Sequence, residues 1–375
     1  MSDEVPTMGV EEEFLLASPR TGRTSPRADR VISRCAPGEL PGGAVINREL
    51  RLTQVESATG VCTGADRLRG QLTTARRVLA SAARAEECAL LATGTSIGPG
   101  PCDAPGAGPG RYADIDAAYR GLVTDYEVCG CHVHVGVPDP DTAVAVVNHL
   151  GRWLPTLLAL SANSPSDHGR DTGHHSWRMV LQSRFPGAGI APHLRGHAEY
   201  RKAVDTLVTC GGLVDPDQSF WLARPSSRFP TVEFRVADTA LTVDGAVLQA
   251  LLSRALVRRA LTDLDHGREA APLCPQVAAT AVWTASRHGL TGSLVDPAVQ
   301  RPRPAWELVG ALLAHVRPAL AATGDLDEVE TLLGVLRREG TDSARQRTAA
   351  ADGTRGAVRW LAEQTVPAQE STLAG

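Results

Sequence analysis

The sequence is almost without lysine. Lys202 is the single one in 375 residues, which leaves 37 arginines among the 38 basic side chains. A G-x-x-x-x-G-K-[ST] phosphate loop is therefore excluded, and any nucleotide must be held another way. Neither H-E-x-x-H nor C-x-x-C occurs, which argues against a zinc hydrolase and against a thiolate zinc site. Aromatic residues are scarce at 4%. No apolar run approaches the ~18 residues needed to cross a bilayer. Charge of one sign is also lacking: 42 acidic against 38 basic groups give a net charge of −4. That balance gives no electrostatic case for nucleic acid or an anionic membrane as partner. The start, Met-Ser-Asp-Glu, has no basic n-region followed by an apolar h-region. Eight cysteines are dispersed along the chain, unlike a small disulfide scaffold. The expectation is a cytoplasmic protein with reduced thiols, acting on small molecules. A homo-oligomer is compatible with this reading.

What is present suffices for a sizeable core: 43% of the residues are hydrophobic and 21% charged. No convincing linker divides the chain and no internal repeat is found. A single domain over residues 1–375 is expected. The Gly/Pro-rich stretch 98–110 fits a loop over a site as well as a hinge. Residues 8–16 read as a strand, 47–61 contain another, and 90–93 form a short one. Residues 127–137 and 231–236 alternate strictly, as half-buried strands do. Leu68, Leu72, Ala75, Leu79 and Ala82 recur at helical spacing, which predicts a helix over 65–89. A helix over 141–161 is expected to kink at Pro155, and 163–176 is a polar loop. From Val243 onward the pattern is almost all helix, ending at 356–364. Strands early and helices late predict an α+β fold with an antiparallel sheet.

Four strand segments and one loop carry chemistry. In Gly9-Val10-Glu11-Glu12-Glu13-Phe14, alternation puts Glu11 and Glu13 on one face and Val10, Glu12 and Phe14 on the other. Two adjacent carboxylates repel unless a cation lies between them, and hard divalent ions prefer such ligands. A solvated edge strand fits the same residues. Glu56 stands alone in Gln54-Val55-Glu56-Ser57-Ala58-Thr59, with Glu49 seven residues earlier. It fits either a ligand or an exposed strand position. His132 and His134 in Cys129-Gly130-Cys131-His132-Val133-His134 share a face, opposite Cys131 and Val133. Such a pair can bind a metal or phosphate, or be one packed and one exposed histidine. Glu233 and Arg235 share a face in Val232-Glu233-Phe234-Arg235, as a ligand and a phosphate donor or as a plain salt bridge. The loop Gly169-Arg170-Asp171-Thr172-Gly173-His174-His175-Ser176-Trp177-Arg178, followed by Ser183-Arg184-Phe185, carries arginine forks suited to carboxylate or phosphate. It also fits an ordinary surface loop. Taken together, a sheet face lined with Glu, His and Arg suits a metal-bridged polyphosphate.

These blocks, in this order and spacing, resemble the bacterial carboxylate–amine ligases, also called type 2 glutamate–cysteine ligases. The resemblance runs from about Met8 to about Leu361. It implies a glutamine-synthetase-like fold: a curved antiparallel sheet carrying the active site, backed by helices. It implies ATP and Mg²⁺ as cofactors. Activity would be amide formation through an acyl phosphate, with glutamate and cysteine as default substrates. By position, Glu11, Glu13, Glu56 and Glu233 would hold metal ions, and His132, His134 and Arg184 would serve the nucleotide. Arg235 and Arg178 would contact phosphate or substrate carboxylate in catalysis. One departure is visible. After Asn163-Ser164-Pro165 the family often has bulky aromatic residues, where this chain has Ser166-Asp167-His168. That segment is expected to line a substrate pocket, so another amino acid or amine is an alternative acceptor. A nucleotide- or metabolite-binding protein without turnover is the alternative from another class.

Overall fold

The computed structural model describes residues 5–35, 38, 40–98 and 110–366. Residues 99–109, most of the Gly/Pro-rich stretch, lie outside the described residues. The sheet is built from β1 (Met8–Ala17), β2 (Val45–Arg48), β3 (Gln54–Ala58), β4 (Ala89–Leu91) and β5 (Gly130–Gly136). A two-residue pair, β6 (Ser166–Asp167) and β7 (Arg170–Asp171), stands apart from it. β8 (Ala223–Pro225) and β9 (Thr231–Asp238) complete it. The order is β2-β3-β1-β5-β9-β8, with β4 also paired to β1. Every pairing is antiparallel, as the alternating segments predict.

One face of this sheet is the core. Val10, Cys131, Val133, Val135, Val232, Phe234 and Val236 all point into it and are buried. Burying each such side chain contributes roughly 1.5–3 kcal/mol. Helices cover that face. Helix Ala65–Ala85 presents Leu68, Leu72, Ala75 and Leu79 at three- to four-residue steps. Helix Val243–Asp265 is buried on nearly all sides, and Thr242 caps it by accepting from the Gly245 amide. The opposite face is left for polar side chains.

The structure corrects several sequence expectations. Segment 47–61 yields the end of β2 and all of β3. The helix from residue 65 ends at Ala85, and β4 begins at Ala89. Segment 141–161 is two helices, Pro140–Leu150 and Leu154–Ser161, bent by 70°. Pro155 cannot continue a helix but is favoured in the first turn of a new one. The helical last third is interrupted by a hairpin of β10 (Ser293–Asp296) and β11 (Arg301–Pro304). Helices Arg111–Tyr119 and His197–Thr209 are absent from the sequence reading; the first gives no strong apolar period, whereas the second carries one in Tyr200, Ala203, Val204, Leu207 and Val208 that the reading passed over. Among the described residues, no single helix is long and apolar enough to cross a membrane, and no disulfide forms.

Candidate active site

The polar face of the sheet floors a cavity of about 1130 Å³. Register decides which side chains meet there. Glu13 lies opposite Glu56, Glu11 opposite His132, His134 opposite Glu233, and Arg224 opposite Glu233. Directly opposed residues bring their Cβ atoms to ~5 Å. All of these line the cavity, as do Arg235 and Arg178. The alternation read from the sequence thus holds for Glu11 and Glu13, for His132 and His134, and for Glu233 and Arg235.

Two groups of three form on this floor. Ligand atoms of Glu11, His134 and Glu233 all lie within 4.8 Å of one another, and so do those of Glu13, Glu49 and Glu56. Their electrostatics differ. Burial alone would raise the Glu11 carboxyl. Hydrogen bonds and charge from His132 (3.2 Å) and His134 (3.4 Å) outweigh this and hold it well below the usual range. Glu233 is likewise desolvated, yet Arg224 at 2.8 Å and Arg235 keep it far below its ordinary value. In the second group burial and mutual repulsion win. Glu49 is pushed well up by burial and by the charges of Glu13 and Glu56. Glu56 is pushed up to about 7 by burial and by the Glu11 charge, against a 2.9 Å hydrogen bond from Asn47. Three crowded carboxylates of this kind either hold protons or share a cation. The donor set, carboxylates with one imidazole, suits Mg²⁺ or Mn²⁺.

Buried polar atoms on residues that line the cavity support the same reading. Nε2 of His132 and Nε of Arg235 have no hydrogen-bond partner among the described residues. Arg178 stands on helix Trp177–Gln182, which starts at the Ser176 cap. One terminal nitrogen of its guanidinium donates to the Arg235 carbonyl at 3.3 Å and the other lies 3.9 Å from Asp238. Gly130 makes room for it, since a Cβ there would meet the guanidinium at 2.4 Å.

Other assignments do not reach the cavity. Arg184 lies beyond the end of that helix, where it pairs with Asp125 at 3.7 Å; it is not a lining residue. Ser166, Asp167 and His168 do not line the cavity either: Ser166 and Asp167 pair with β7, and the His168 amide donates to the Ser96 carbonyl at 3.1 Å. Asp171 is held by Arg347 at 2.9 Å, and His175 is buried against Ser343 at 2.6 Å. Glu49, Arg224 and Gln182 line the cavity without having been assigned to it. Only Glu49 left a trace in the sequence, by its distance from Glu56. Arg224 could have been found by folding the hairpin 223–234 about its Ser226–Pro230 turn.

Residues 7–364 match the model of glutamate–cysteine ligase family 2. A Saccharopolyspora erythraea protein provisionally named glutamate–cysteine ligase 2-2 is 51% identical over 370 residues, covering 98% of this chain and 94% of the relative. A Rhodopirellula baltica protein with the same kind of provisional name is 38% identical over 349 residues, covering 92% and 94%. Among solved structures, the glutamate–cysteine ligase of Francisella tularensis in complex with AMP matches with a TM-score of 0.69. That match has 14% identity and covers 98% of this chain and 90% of the other. It shows the shared fold alone. By the family match and these relatives, the chain belongs to glutamate–cysteine ligase family 2.

Proposed function

We propose that this chain is an ATP- and Mg²⁺-dependent carboxylate–amine ligase, with glutamate and cysteine as default substrates and ADP and phosphate as by-products. The observation that carries this reading is the pair of three-ligand groups on one sheet face. Glu11, His134 and Glu233 form one; Glu13, Glu49 and Glu56 form the other. Magnesium bound there would neutralise charge on phosphate oxygens. The remaining roles belong to the side chains. Arg235 lines the cavity with a buried, unpartnered Nε, and its guanidinium would donate to a phosphoryl or carboxylate oxygen. Its ion pair with Glu233 keeps it charged and fixed in place. His132 offers Nε2 at the same face, and His134 holds Glu11 there at 3.4 Å. Arg178 would hold a substrate carboxylate.

The γ-phosphoryl of ATP passes to the substrate carboxylate, giving an acyl phosphate. The amine attacks the activated carbon, and phosphate leaves with the C–O bonding pair. Positioning and preorganised charge account for most of the rate in such a scheme. No protein nucleophile is required. Burial pushes the Cys129 and Cys131 thiols well up, so neither is poised to be one.

The test is ADP release with ATP, Mg²⁺, glutamate and single acceptors, with mass spectrometry of any new amide. Glu11→Gln and Glu233→Gln should each abolish ADP release while the circular dichroism spectrum is kept. Full turnover in both variants refutes the metal assignment. Tight ATP binding without ADP release under any condition points to a binding protein instead.

A further inference from the structure

One end of the cavity is walled by aromatic rings in a chain that has few. Tyr126 meets Phe185 edge-on at 5.0 Å between centroids, and Phe185 stacks on Phe220 at 4.4 Å. Tyr119 buttresses Phe185 at 5.0 Å. Three of the four tyrosines in the chain gather in this cluster. Val123 and Val128 continue the apolar wall.

Beside the wall stand Arg178 and Gln182, one turn apart on helix Trp177–Gln182, both lining the cavity. Each is only 3% exposed. Nε and Nη1 of Arg178 and Oε1 of Gln182 are buried without a hydrogen-bond partner among the described residues. An unsatisfied buried polar group costs ~1–3 kcal/mol, so a ligand that satisfies these atoms is favoured. Residues four apart on a helix are neighbours on one face, ~6 Å between Cβ atoms. The pair therefore offers a cationic donor and a neutral acceptor side by side on one helix face. The wall is joined to them directly, since the Phe185 amide donates to the Gln182 carbonyl at 3.3 Å.

We infer that this end is the acceptor subsite and that it selects an α-amino acid with an apolar or aromatic side chain. Arg178 takes its carboxylate, the Gln182 Oε1 accepts from its amino group, and the ring cluster receives its side chain. The inference rests on the ligase reading above and replaces its default acceptor, cysteine, by an apolar or aromatic amino acid. When the amine attacks, the C–N bond forms as the C–O bond to phosphate breaks. The nitrogen's extra proton leaves to solvent. The Gln182 hydrogen bond fixes the direction of the nitrogen lone pair before that step.

The experiment compares phenylalanine, leucine, cysteine, serine and phenethylamine as acceptors with the whole protein, ATP, Mg²⁺ and glutamate. Phenylalanine or leucine should give the highest kcat/KM. Phenethylamine, which lacks the carboxylate, should fall at least about tenfold below phenylalanine. Gln182→Met should raise KM for the preferred acceptor about tenfold and leave KM for glutamate unchanged. Gln182→Glu, which keeps an acceptor oxygen, should restore much of it. A preference for cysteine or serine overturns the inference while leaving the ligase reading intact. So does a rise in the glutamate KM instead of the acceptor KM. If no acceptor supports ADP release, the ligase reading fails, and calorimetric titration with phenylalanine decides the subsite separately. Binding weakened about tenfold by Gln182→Met upholds it, and no binding to the wild-type protein overturns it.

Discussion

Arg76 and Glu12 form a two-point ion pair at 3.0 and 2.5 Å, with both side chains fully buried, behind the strand whose other face carries Glu11 and Glu13. Arg76 also donates to the carbonyls of Ala240, Leu241 and Thr365 at 2.8–3.1 Å. It thus joins β1, the segment after β9 and helix Gly353–Thr365 at one point.

Removing one partner of a buried pair strands the other, which typically costs about 3–5 kcal/mol. Arg76→Met should therefore lower stability by at least about 3 kcal/mol in urea unfolding. The double variant Arg76→Met with Glu12→Gln should recover part of the loss, because no charge is left alone. A loss under about 1 kcal/mol for the single variant would show that the pair is not what holds these elements.

The group Glu13, Glu49 and Glu56 makes a second prediction. Without a cation its like charges repel, so Glu56→Gln should be at least as stable as the wild-type protein in chelator-treated buffer. With millimolar Mg²⁺ the order should reverse, since a ligand that binds only the folded state adds about 2.7 kcal/mol at a hundredfold excess over Kd. Melting curves with and without Mg²⁺ read this crossing. Equal Mg²⁺ stabilisation of both proteins would exclude Glu56 as a ligand.

His175 gives the pH dependence. Burial, aided by the charges of Arg347 and Arg287, pushes its imidazole down to about 4, from an ordinary value of 6.5. The unfolded chain therefore binds a proton between these values that the folded chain does not. The contribution is fully present above pH 6.5 and is lost as pH falls towards 4. It is on the order of 2 kcal/mol, allowing for partial solvent contact. Urea unfolding of the wild type at pH 7 and pH 5 should show this loss, and His175→Gln should show a smaller pH slope. An unchanged slope would assign the acid sensitivity elsewhere.

What could be read from the sequence follows from what is local. A strand's two-residue period is a property of neighbouring residues, so the faces of Glu11, Glu13, His132, His134, Glu233 and Arg235 were legible. The strand register is not local, and it is register that sets His134 against Glu233. Glu49 lies in the turn between β2 and β3, where no period applies, and only the pairing of these strands delivers it to Glu13. Arg178 and Arg184 stand six residues apart in one arginine-bearing segment. The short helix separates them by aiming the first at Asp238 and ending before the second. Ser166 to His168 were expected at a substrate pocket. The partner of β6 is β7, a tertiary choice that no side-chain pattern in those three residues announces.

The joint at Arg76 has a consequence for how the protein is made. Glu12 is among the earliest residues to be synthesised, and the Thr365 carbonyl that Arg76 also binds belongs to the last described helix. During synthesis, a growing chain holds β1, β3 and β5 long before it holds that carbonyl. The joint at Arg76 can therefore close only after every strand of the floor, β8 and β9 included, has been made.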